Sequence, residues 1–184
     1  SDYLGTPVPS VARHLANGAL DPTFGSGGKV LLTSVAGGFR AALVQSTTGK
    51  ILLAGHAVSG GANSNMLLVR LLADGTPDPS FIGSGVQQLD FVGNSSDEVA
   101  NAIALQNDGR IVLVGRADGQ HVVARRMADG VPDTSFGTGG QVRSATALDA
   151  RDVFLQGTNS PKIVIAGYRA GNGSRQTYSG STQT

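Results

Sequence analysis

The chain says the same thing three times. Arg13-His14-Leu15-Ala16-Asn17-Gly18-Ala19-Leu20-Asp21-Pro22-Thr23-Phe24-Gly25 returns as Arg70-Leu71-Leu72-Ala73-Asp74-Gly75-Thr76-Pro77-Asp78-Pro79-Ser80-Phe81. It returns again as Arg125-Arg126-Met127-Ala128-Asp129-Gly130-Val131-Pro132-Asp133-Thr134-Ser135-Phe136-Gly137. Asp21 to Asp78 is 57 residues and Asp78 to Asp133 is 55. Each copy then runs through a Gly-rich turn to Val30, Val86 or Val142. A long fixed period means that one supersecondary unit is repeated, and that each unit buries its apolar face only against a neighbour.

A second motif lies between these copies. Ala42-Leu43-Val44-Gln45 leads to Gly49-Lys50-Ile51-Leu52-Leu53-Ala54-Gly55, and Ile103-Ala104-Leu105-Gln106 leads to Gly109-Arg110-Ile111-Val112-Leu113-Val114-Gly115. The third version is Val153-Phe154-Leu155-Gln156, then Pro161-Lys162-Ile163-Val164-Ile165-Ala166-Gly167. Within one period four short apolar runs stand out: Val86–Phe91, Val99–Gln106, Arg110–Arg116 and His121–Met127. They are too short and too often broken by Gly for helices, and their Asp-Gly boundaries predict hairpins. Glu98 is the sole glutamate beside 12 aspartates, and Gly accounts for 27 of 184 residues. Both counts favour turns over helix interiors. The expected fold is therefore all-β: three four-stranded antiparallel sheets of the propeller type, with a threefold β-trefoil or β-prism as the alternative closure.

The pattern Arg-x-x-Ala-Asp-Gly-x-x-Asp-x-Ser-Phe-Gly-x-Gly-Gly-x-Val, followed by Ala-x-x-Leu-Gln-x-Asp-Gly-Lys-Ile-x-Val-x-Gly, resembles the delta-60 repeat over residues 11–169. The resemblance implies β-propeller blades and a bacterial protein that is secreted or held at the cell surface. It implies no catalytic residues. Ile82 departs from the pattern, standing where the other copies have Gly, and the third copy lacks the hairpin Gly.

A closed propeller takes at least about four blades, and this chain has three repeats. It begins inside one repeat and stops inside another, so Val11, Ala12, Arg13, His14 and Leu15 read as the strand that the last blade lacks. These five residues are the expected interface. The partner is expected to be another protein chain: a homo-oligomer mate or the remainder of a longer propeller. Residues 1–10 read as an extended arm and 170–184 as a flexible tail. The start at Ser1 rather than Met reads as a processed or trimmed product.

Several constellations invite chemistry. Asp74, Asp78, Asp129 and Asp133 sit on Gly-containing loops and are calcium candidates. Each loop offers at most two acids, whereas calcium takes 6–8 oxygens, so their expected role is turn building and no cofactor is assigned. Phe24, Phe81 and Phe136 recur in phase and are expected to plug the space between sheets. Arg13, Arg70 and Arg125 are expected to pair with the Asp eight residues downstream, which for the first is Asp21. His14, His56 and His121 fall at different phases and suggest no metal triad. Asp97, Glu98 and Asp108 are the acids a glycosidase reading would need. No Cys is present, which excludes thiol chemistry, and a net charge of +1 argues against nucleic acid as partner. No apolar stretch approaches the ~18 residues of a spanning helix. The expected function is a non-catalytic binding or assembly module, secreted or on a cell surface. The alternatives are part of a propeller enzyme (a hydrolase or lyase) with a channel metal, and a carbohydrate-binding lectin.

Overall fold

The computed structural model describes residues 7–60, 63–91, 93, 97–144, 149–158 and 161–169, with backbone alone at 59 and 60. All regular structure among the described residues is β. Two sheets are complete and four-stranded. One orders β3 (Gly37–Val44), β4 (Ile51–Gly60), β5 (Asn63–Leu71) and β6 (Val86–Leu89). The other orders β7 (Glu98–Leu105), β8 (Ile111–Ala117), β9 (Gln120–Arg126) and β10 (Gln141–Arg143). At the chain's two ends lie two-stranded sheets: β1 (Ser10–Ala12) with β2 (Lys29–Leu31), and β11 (Asp149–Gln156) with β12 (Lys162–Tyr168). Every pairing between these strands is antiparallel.

The central strands β4 and β8 read as unbroken apolar runs because both of their faces are covered. In β4, Leu52 and Ala54 face the β7–β10 sheet together with Ile111, Leu113 and Ala124. Ile51 and Leu53 face the other way, onto Phe24, Leu32 and Val35. On the far side of β8, Val112 and Val114 join Val123, Ala150 and Val153. Successive antiparallel sheets stacked face to face in chain order form a partial β-propeller, not a trefoil or prism.

The division of strands among sheets differs from the sequence reading by one step. The run Val86–Phe91, read as opening a unit, supplies the last strand of a sheet. The third blade's four strands are split between the chain's ends: β11–β12 match β3–β4 and β7–β8, while β1–β2 match β5–β6 and β9–β10. Val11 therefore belongs to a third strand rather than a fourth. Of the expected N-terminal arm, residues 7–10 are tied to the body. Pro7 O accepts from Gly37 N at 2.8 Å and Pro9 O from Leu32 N at 2.9 Å. The expected tail at 170–184 lies outside the described residues.

The first strand of every blade bulges at the same place. Register shifts fall between Phe39 and Ala41, Ala100 and Ala102, and Ala150 and Asp152. Opposite each bulge is the Gly that ends the second motif. A Cβ on Gly115 would lie 1.9 Å from Val99 O, so no side chain fits there. Gly115→Ala is expected to cost roughly 3 kcal/mol or more, since it collides with backbone that cannot yield. Gly119→Ala, with open space around it and φ of +72°, should cost only the left-handed penalty of about 1–2 kcal/mol. Urea denaturation of the two variants checks the difference.

Candidate functional site

The repeated Arg, Asp and Phe form one device in each unit. Arg70 Nε donates to Asp78 Oδ2 at 2.7 Å, and Nη2 donates to Ser80 Oγ at 3.1 Å. Asp78 Oδ1 accepts from Ser80 N and Oγ, at 2.9 and 2.7 Å. The guanidinium lies over the Phe81 ring, 4.4 Å from its centroid. Arg13 with Asp21 and Phe24, and Arg125 with Asp133 and Phe136, repeat this geometry at 2.8 and 2.7 Å, with ring distances of 4.6 Å. The expected pairing with the Asp eight residues downstream is thus what the structure shows in all three units.

Sequence reasoning missed the other half of the device, which reaches into the next unit. Arg13 Nη1 donates to Ala73 O and Arg70 Nη1 to Ala128 O. Beside these bonds, Gly25 N donates to Asp74 O at 2.7 Å and Ile82 N to Asp129 O at 3.2 Å. Ile82 holds a left-handed φ of 51°, close to the 55° of Gly25, so the departure from the repeat leaves the latch geometry unchanged. Each Phe then seats on the next unit's Gly. A Cβ on Gly75 would lie 2.9 Å from the Phe24 ring, and one on Gly130 would lie 2.7 Å from Phe81. Phe24 and Phe81 are fully buried as a result.

A second cation serves the same aspartate. Lys50 Nζ lies 2.8 Å from Asp78 Oδ2, and Arg110 Nε lies 2.9 Å from Asp133 Oδ2. Burial by itself would raise the Asp78 pKa. Hydrogen bonds from Lys50 and Ser80, with the charge of Arg70, outweigh it and hold the carboxyl far below its usual range. Asp133 is held at about 2, first by the Ser135 hydroxyl and then, against burial, by the Ser135 N–H and Arg125.

The third latch is open. Phe136 is only half-buried. Arg125 Nη1 and Gly137 N have no acceptor among the described residues, whereas their equivalents bond across units. In the first unit, the carbonyls of Ala16 and Asn17 accept nothing across units among the described residues, and Gly18 has no described atom within 4 Å of where its Cβ would be. Asp21 has Arg13 as its only cation among the described residues, and Lys162, matching Lys50 and Arg110, has no ion pair. Among the described residues nothing covers the outer edge of β12, where Val164 is 44% exposed, while its equivalents β4 and β8 are buried between two neighbours.

The remaining sequence candidates fall elsewhere. Asp74 Oδ1 accepts from Thr76 N and Oγ1, and Asp129 Oδ1 from Val131 N, as turn-building residues do. Asp78 and Asp133 face arginine. No group of three potential metal ligands forms among the described residues. His14 Nδ1 lies 2.9 Å from Gly18 O, and His56 and His121 sit apart from it on β4 and β9. Glu98 is buried with its carboxylate on Phe91 N at 2.9 Å, Asp97 pairs with Arg116 at 2.8 Å, and Asp108 pairs with Arg110. Of Val11, Ala12, Arg13, His14 and Leu15, only Val11 and Ala12 lie in a strand, β1, which pairs with β2 on one side only; Arg13 turns into the first latch and His14 bridges Leu20, so neither extends the strand.

Residues 47–81 and 106–136 match the model of a family described as a domain of unknown function (DUF5122) beta-propeller. Each match runs from the hairpin before a central strand to the latch Phe, so the likeness covers the elements that carry the device. No curated protein matches the chain.

The depressed carboxyl pKa values fix the sign of the acid response. A group held at about 2 against an ordinary 3.8 contributes stability that is fully present above about pH 4 and disappears as pH falls through 2. Unfolding midpoints should be flat from neutrality to about pH 4 and fall steeply below it. Asp133→Asn should flatten that fall while lowering the midpoint at pH 7, as followed by circular dichroism.

Proposed function

We propose that the protein is a non-catalytic binding and assembly module whose split blade is completed by a second copy of the same chain. The single observation that carries this is the half-latch. Among the described residues, what the third latch lacks is what the first unit displays. Lys162 lacks an aspartate and Asp21 lacks its second cation. Arg125 Nη1 and Gly137 N lack acceptors, and Ala16 O and Asn17 O lack donors. Phe136 lacks a seat, and Gly18 is an empty one. The outer edge of β12 lacks a strand, and β1 has a free edge. An unpaired edge is a template for association, and here side chains give it register and direction.

Two chains joined head to tail at both ends supply six blades, within the usual four to eight. The contact is heterologous at each junction and the ring closes it, so growth stops. The repeated charged groups serve the fold, and the loops between strands are left to contact other molecules. A secreted or cell-surface setting follows the repeat family that the sequence resembles.

Light scattering on a sizing column is expected to give twice the 18.6 kDa chain mass. Gly18→Asn should leave each chain folded, because Asn tolerates a left-handed backbone and the site is open. It should convert the particle to single chains, because the new side chain occupies the Phe136 seat. Lys162→Glu should weaken association at low salt while leaving the melting of the single chain unchanged. A particle of one chain at all concentrations contradicts the reading, as does a two-chain particle indifferent to both substitutions.

A further inference from the structure

The bulge in each first strand places Arg40, Asn101 and Arg151 at equivalent positions of three successive blades. A bulge re-aims the extra residue, and these three side chains line one cleft of about 370 Å³ together with Arg116, Asp149 and Tyr168. The scaffold around them is copied faithfully from unit to unit, but the aimed residues are not all alike: Asn101 stands between two arginines. The repeat therefore builds one asymmetric site rather than three equal ones.

The chemistry of the cleft has two parts. Three guanidinium groups face a single lining carboxylate, which leaves an excess of positive charge. Arg151 Nη2 donates to Asp149 Oδ2 and to Tyr168 OH, both at 2.7 Å, and its guanidinium is stacked 5.0 Å from the Tyr168 ring centroid. Arg116 Nη2 is held by Asp97 Oδ2 at 2.8 Å. Arg40 is exposed and has no ion pair among the described residues. The second part is Asn101, only 9% exposed. Its Nδ2 donates to Asp149 Oδ1 at 3.0 Å and to Ala150 O at 2.7 Å, which fixes the amide's orientation. Its Oδ1 is buried with no hydrogen-bond partner. A buried acceptor left unmade is costly, and a ligand that donates there would relieve it.

We propose that this cleft binds a small carboxylate bearing hydroxyl groups, in the class of a hexuronic acid. A guanidinium presents paired N–H donors that match a carboxylate. Asn101 Oδ1 accepts only from a donor, which a carboxylate is not and a sugar hydroxyl is. The volume lies in the range of small-molecule sites and suits a monosaccharide. All eight lining residues, Val99 and Gly119 among them, belong to one chain and none is in the latch, although Tyr168 lies on β12, the strand whose outer edge a second copy would cover.

The test is a titration of the full chain with D-galacturonate, followed by backbone and Asn side-chain amide shifts in 15N NMR at low salt. Saturable shifts are expected at Asn101 and Gly119. D-galactose and acetate, each carrying half of the chemistry, should bind at least tenfold more weakly. Arg40→Gln removes a side chain that holds nothing in the fold. It should weaken galacturonate at least tenfold with unchanged melting. No saturable shift, equal binding of galactose or acetate, or indifference to Arg40→Gln would each overturn the assignment.

Discussion

Everything in this molecule hangs on an arginine that faces two ways. Inside its own unit each of Arg13, Arg70 and Arg125 is fixed by an aspartate below and a phenylalanine ring beside it. That leaves Nη1 pointing out of the unit, and in two cases a carbonyl of the next unit meets it. A guanidinium suits this role because its donors are rigidly arranged and its charge persists at any working pH. Lysine could hold the aspartate but could not reach the ring and the next carbonyl at once. The latch also explains why charged residues sit at the seam of a stack otherwise held by Leu, Val and Ile. They set the angle and order of the blades, and the apolar faces fill the space between them.

The same repetition lets one latch be compared with another. A repeat unit cannot bury its own faces, so the last unit of a stack advertises what it lacks by comparison with those before it. Phe136 against Phe24 and Phe81, and Gly18 against Gly75 and Gly130, are such comparisons between chemically identical positions that differ only in having a neighbour. They need no reference outside the molecule. Among the described residues the third latch is thus open, and it is directional, with donors at one end of the stack and acceptors at the other.

Much of this was legible in the sequence. The period, the all-β reading, the Arg to Asp pairing and the role of the phenylalanines follow from residues that recur in phase. The inter-unit bonds were hidden because their acceptors are main-chain carbonyls, which every residue has. The second cation on Asp78 and Asp133 was hidden as well, since Lys50 and Arg110 occur in a different motif from the aspartates they serve. The bulge left a trace, the in-phase Gly55, Gly115 and Gly167, but a Gly at a strand end reads equally as a turn. Arg40, Asn101 and Arg151 are not one residue type throughout, since Asn interrupts the two arginines, so the repeat pattern does not join them. The offset in strand assignment has the same origin: hydrophobic runs show where strands are, not which neighbour each one pairs with.

If a second copy completes the split blade, its β1 lies beside β12 in the register of the complete blades. In those blades Leu53 faces Val69 and Leu113 faces Ala124, which places Ile165 opposite Ala12 of the second copy. The protein has no cysteine, so Ala12→Cys and Ile165→Cys can be made in separate chains and the two mixed under mild oxidation. Antiparallel partners have Cα atoms about 4.5–5.5 Å apart, within disulfide reach. The account predicts a two-chain disulfide from the mixture and none from either chain alone. A two-chain particle that never forms this bond, while Ile165→Cys links to itself, would contradict it.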